Sequence, residues 1–145
     1  MPNRPAVTRA RSKAITPEAT TKGTTLEVDP AGDLYLIVGN DPPQEMLVDS
    51  RALCRSSRVF RKMLGSNFSE AKPDGGRWQV KLPEDSPKAL ALLMNIVHSS
   101  YDRVPMKLEI DDLFDMCVLV DKYDMERALW PVASAWIQPY SSSRK

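Results

Sequence analysis

The chain has 145 residues, 42% hydrophobic and 27% charged, with a formal net charge of +1. That is enough for one compact domain with a tail and too little for two ordinary domains. No stretch approaches the roughly 20 uninterrupted apolar residues of a membrane span, and the polar, basic start lacks the apolar segment of a secretion signal.

An intracellular, reducing setting is therefore expected, cytoplasmic or nuclear, in which Cys54 and Cys117 stay buried thiols among apolar helical neighbours. The average composition hides a split: of 33 Leu, Ile, Val and Phe residues, 31 lie at or beyond Leu26. Residues 1–22 carry Arg4, Arg9, Arg11, Lys13 and Lys22 against Glu18, a charge of +4 that leaves −3 for the rest. Residues 1–23 are read as a disordered basic tail, 24–140 as the domain and 141–145 as a disordered terminus. The tail has no aromatic residue for base stacking, so a solvated arm or weak nuclear-targeting patch is favoured over nucleic-acid binding.

In chain order, the run Leu34, Tyr35, Leu36, Ile37 and Val38, closed by Gly39 to Pro43, predicts a strand. Its unbroken apolar pattern predicts cover on both faces. Met46 to Val48 predicts an antiparallel partner, making a hairpin. Short helices follow over 51–54 and 57–64, where Phe60, Met63 and Leu64 share a face. A polar loop over 67–76 contains the exposed-looking Phe68, and Trp78, Val80 and Leu82 then alternate as a third strand. Ser86 and Pro87 start a helix whose apolar face is Leu90, Leu93, Met94 and Val97, ended by His98, Ser99 and Ser100. A short extended piece covers 104–108. Asp111 or Asp112 is expected to cap the next helix, with Leu113, Met116, Cys117 and Val120 inward. A last helix over 125–138 carries Leu129, Val132, Ala133, Trp136 and Ile137, with Pro131 expected to kink it. The order predicts an α+β fold, a small, mostly antiparallel sheet flanked by short helices.

The inventory for catalysis is thin. His98 is the one histidine, and it lies far in sequence from Cys54 and Cys117, so no metal site and no cofactor are expected. Acidic residues such as Asp111 and Asp115 are explained by helix starts, and no glycine-rich phosphate cradle is present. What remains are apolar residues suited to a surface: Phe68, Trp78, and Tyr101 beside His98. These belong to binding modules more than to enzymes.

The stretch Gly32 to Val38, then Phe60-Arg61-Lys62-Met63-Leu64, Leu82 to Ala89, and Val120-Asp121-Lys122-Tyr123-Asp124, taken in order over about 28–138, resembles the BTB/POZ family. With Phe68-Ser69-Glu70 after the second short helix and a late Trp136, the likeness is closest to its fungal branch. The resemblance implies a non-catalytic protein-interaction module, in many members an adaptor on the cullin scaffold of a RING ubiquitin ligase. The alternative is a self-associating scaffold or a nuclear, transcription-related regulator. It implies that Phe68 and Glu70 match the hydrophobic-x-Glu motif of cullin-binding members; the other reading has Phe68 folded back over the helix ending at Leu64 and Glu70 solvated. Tyr101 and His98 are further candidate contacts from their own chemistry, His98 standing where the family often has Tyr. It also implies a charged groove, here altered: Asp49 replaces a common His, Ser50 replaces a common basic residue opposite Asp33, and Arg51 is adjacent. Residues 20–27 hold one large apolar side chain, Leu26, so the exchanged amino-terminal helix of many family dimers has no counterpart.

Overall fold

The computed structural model describes residues 24–65 and 70–142; the expected tail over 1–23 and Phe68 lie outside the described residues. Ten short elements follow in order. Strand β1 is Leu26–Glu27, β2 Leu34–Val38 and β3 Gln44–Val48. Helix α1 is Ser50–Ser56 and α2 Arg58–Met63, and β4 is Gln79–Leu82. Helix α3 is Pro87–Val97, a 3-10 turn spans Tyr101–Arg103, α4 is Ile110–Tyr123 and α5 is Glu126–Ser142.

The α+β class holds, but the sheet is mixed rather than mostly antiparallel. Its order is β1-β3-β2-β4, with only β2 and β3 antiparallel. Strand β1, too short to show a pattern in the sequence, runs parallel to β3, and β4 runs parallel to β2. A parallel neighbour needs a crossover of a dozen or more residues. The two short helices and the following loop supply it between β3 and β4. At the end of β2, Gly39 donates its N–H to the Leu82 carbonyl at 2.9 Å with φ of +80°. A Cβ there would meet the Pro87 ring at 2.8 Å, so glycine lets β2 end directly against the start of α3.

The expected two-sided cover of β2 is not helical on both sides. Leu34, Leu36 and Val38 are fully buried, whereas Tyr35 and Ile37 are half-buried. On that outer face the Arg77 guanidinium lies 3.7 Å from the centre of the Tyr35 ring and pairs with Glu45, which also accepts from Thr25 Oγ1 at 2.6 Å. A layer of long side chains does there what a helix does on the inner face.

Side-chain caps explain why the helices begin where they do. Asp49 accepts from the Arg51 N–H at 3.0 Å, Ser57 Oγ from Phe60 at 2.9 Å, and Ser86 Oγ from Ala89 at 3.2 Å, with Pro87 at the first helical position. The expected cap of α4 moves: Glu109 is its N-cap without a side-chain bond, and Asp111 and Asp112 sit in the first turn, where the dipole favours acids. The inward face of α4 is also rotated from the expected one, being Met116, Leu119, Val120 and Tyr123. Cys117 is therefore exposed rather than buried, and Cys54 is half-buried. Along α5, Val132 and Trp136 are buried but Ile137 is half exposed, and the helix runs on to Ser142, into the stretch read as a disordered terminus.

The inner face of the sheet, with Leu36, Met46 and Val80, meets Leu53, Phe60, Leu90, Leu93, Met94, Met116, Tyr123 and Trp136 in one core. Two polar links hold its helical half. Ser57 Oγ donates to the Tyr123 carbonyl at 2.6 Å, and buried Asp85 accepts from the Tyr123 hydroxyl and from Lys122 Nζ at 2.5 Å. Residues 104–108 are irregular rather than extended, because α5 takes their carbonyls: Trp136 Nε1 donates to Pro105 at 2.8 Å and Tyr140 to Leu108 at 2.5 Å.

Candidate interaction surface

The expected site residues fall into three places. The first is the loop between α2 and β4. Past residues 66–69 its described part resumes at the half-buried Glu70, whose carbonyl accepts from Trp78 Nε1 at 2.7 Å. Trp78, expected to be available at the surface, is buried and serves as the loop's anchor.

The second place is the end of α3. His98 Nε2 accepts from the Asp49 N–H at 3.0 Å, and Nδ1 lies 2.8 Å from the Met94 carbonyl. Accepting at Nε2 puts the proton on Nδ1, which then donates to Met94. Both ring nitrogens are thus engaged within the chain. Tyr101, three residues on, is 43% exposed.

The third place is the altered groove. Ser50 donates to Asp33 twice, from N at 2.8 Å and from Oγ at 2.7 Å. Burial opposes the Asp33 charge, but these two bonds, together with its own backbone N–H and the charge of Lys72, hold the carboxyl below its ordinary value. Asp33 is thus satisfied internally by Ser50. Asp49 is likewise occupied as the cap of α1, with the exposed Arg51 3.6 Å from its carboxylate. The structure brings His98, Asp49, Ser50 and Asp33 into one bonded series, while Glu70 and Tyr101 belong to other parts of the chain.

A surface that sequence reading missed lies on α4. Ile110, Phe114 and Val118, at i, i+4 and i+8, are 56%, 67% and 49% exposed. Consecutive large apolar pairs such as Leu113-Phe114 and Val118-Leu119 were the available signal: a helix with one buried stripe cannot turn both members inward. Exposed acids Asp111, Asp115 and Asp121 accompany the stripe. Trp130 on α5 is 82% exposed.

The described residues contain no group of three or more His, Cys, Asp or Glu side chains placed to hold a metal ion. Burial pushes the Cys54 thiol upward, away from thiolate reactivity. No helix is long and apolar enough to cross a membrane.

A small mixed sheet under short helices, with apolar side chains exposed on α4 and α5, is an α+β body with a surface suited to contact with another protein. The family model for the BTB/POZ domain matches residues 29–138, so the chain belongs to the BTB/POZ family. No curated protein matches. Among solved structures it is similar to the BTB (Tramtrack and Bric a brac) domain of human Gigaxonin, at 17% identity and a TM-score of 0.52, covering 70% of this chain and 75% of that one. That likeness shows the fold.

Proposed function

We propose that this chain is a non-catalytic, intracellular adaptor that docks on a cullin scaffold of a RING ubiquitin ligase through Phe68 and Glu70, with Tyr101 and the edge of His98 as secondary contacts. The resemblance of Phe68-Ser69-Glu70 to the hydrophobic-x-Glu motif supports the choice of partner. The arrangement of the phrases that carry the family likeness supports a place near the fungal branch. The observation that carries a binding role is the apolar stripe of Ile110, Phe114 and Val118, each about half or more exposed. Large apolar side chains in a row are costly to leave in water unless a partner covers them. An aromatic from the loop would fill a pocket, and the Glu70 carboxylate beside it would fix orientation through a charge-assisted bond.

A pull-down of cullin scaffolds by wild type, Phe68→Ala and Glu70→Lys tests this. Loss in both variants is expected. Undiminished binding by both discards the site, and no binding by wild type discards the adaptor role. Self-association is the second reading, favoured by the same stripe because two copies could bury it mutually. Sedimentation at micromolar concentration, with and without residues 1–23, separates the two, and a clean monomer removes the second.

A further inference from the structure

The chain beyond residue 22 carries a net negative charge, yet one face of it is basic. Arg55 at the end of α1, Arg58 and Arg61 on α2, and Arg127 at the start of α5 line a single open cavity, accompanied by two acids, Asp124 and Glu126. Two of these guanidiniums are held by the protein. Arg58 donates to Asp124 from Nε at 3.1 Å and from Nη2 at 2.8 Å, and Arg61 Nε donates to the Cys54 carbonyl at 3.2 Å. Arg55 and Arg127 are exposed and have no ion pair or hydrogen bond among the described residues.

Helix electrostatics explains only part of this. Arg55 and Arg61 sit in the last turns of α1 and α2, where a cation stabilises the dipole. Arg58 and Arg127 sit in first turns, where a cation is unfavourable. Asp124 compensates Arg58: its hydrogen bond raises the Arg58 pKa and lowers that of Asp124. Arg127 shares its first turn with Glu126, but no ion pair or hydrogen bond joins it to that acid or to any other described residue. A charge placed against the dipole without an internal partner is explained by a ligand more readily than by folding.

We propose that this cavity is a second docking site, distinct from the loop that carries Phe68 and Glu70, which takes an acidic segment of a protein partner. Guanidinium forks pair bidentately with planar or tetrahedral oxyanions, so the recognised chemistry is carboxylate or phosphoserine. Asp124 and Glu126 within the cavity repel an unbroken line of phosphates, and no aromatic side chain lines it for base stacking, so a peptide with spaced anions fits better than a nucleic acid.

Fluorescence anisotropy on the full chain tests it with two eight-residue peptides, one with four glutamates and one with phosphoserines in their place, and with a single-stranded RNA octamer. Saturable peptide binding that weakens as salt rises is expected, and the tighter peptide identifies the anion. The double variant Arg55→Glu/Arg127→Glu loses about ten-fold or more, whereas Lys81→Glu, at an exposed position of β4, loses nothing. Arg55→Ala/Arg127→Ala, which adds no repulsion, loses less but in the same direction. Absence of peptide binding at about 100 mM salt, an equal loss in Lys81→Glu, or tighter binding of the RNA overturns the proposal. Binding that persists in Phe68→Ala separates this site from the loop.

Discussion

Replacing Tyr123 by Phe removes a single oxygen from the joint between α4 and the turn that leads into α3. The ring is 1% exposed and stacks on Phe60, with centres 4.4 Å apart and planes 18° from parallel. Phenylalanine preserves that packing, so the loss isolates the hydroxyl. Its bond to Asp85 goes to a buried carboxylate whose other oxygen is held by Lys122. A hydrogen bond to a charged group that then lacks a donor costs about 2 kcal/mol. For a body of this size, that lowers Tm by roughly 6–10 °C. Urea unfolding should show a lower midpoint with an unchanged slope, since packing is retained. The pH dependence has a definite sign. Burial first, then the Asp85 bond and charge, raise the Tyr123 pKa above its ordinary 10.0 in the folded state. A raised folded pKa stabilises the fold below the unfolded value and loses that stability as pH climbs beyond it. Wild type therefore weakens above about pH 10 more steeply than Tyr123→Phe. A loss under about 0.5 kcal/mol, or identical alkaline slopes, would refute the assignment of Asp85 and Tyr123 as one bonded unit.

Ser57→Ala should cost about 1–2 kcal/mol by chemical denaturation, because one fully buried hydroxyl both caps α2 at Phe60 and donates to the Tyr123 carbonyl; a change within error contradicts this. Asp33→Asn should flatten the acid side of the stability curve. The Asp33 pKa is depressed below 3.8, so its contribution exists above that value and disappears as pH falls through the lower folded one. Urea midpoints measured downward from about pH 5 check it, and parallel curves for variant and wild type count against the Ser50 bonds as the cause.

Much of this architecture was legible because local chemistry and tertiary packing agree. The hairpin, the cap at Ser86, and the end of α3 at His98 follow from turn residues and capping side chains that act over a few positions, whereas Ser57, expected inside its helix, is the cap. Other features depend on distant partners. Strand β1 has two residues and is defined only by β3. The direction of β4 is set by the crossover, and residues 104–108 are shaped by Trp136 and Tyr140 some 30 residues later. The inward face of α4 was misjudged because it carries apolar residues on more than one side. Choosing which face is buried needs α3 and the sheet, and the same excess conceals the exposed Ile110, Phe114 and Val118. His98 read as a surface contact because nothing local shows that Asp49 lies against its ring.

The proposed docking on a cullin scaffold would bring Phe68, and with it the exposed stripe of α4, under the partner. Hydroxyl-radical footprinting of the chain, alone and saturated with the scaffold's amino-terminal domain, reads this at individual side chains. Oxidation of Phe68 and Phe114 is expected to fall several-fold on complex formation, while Met106, 68% exposed outside α4, serves as the internal comparison. A complex that leaves Phe68 and Phe114 as reactive as in the free chain would contradict it.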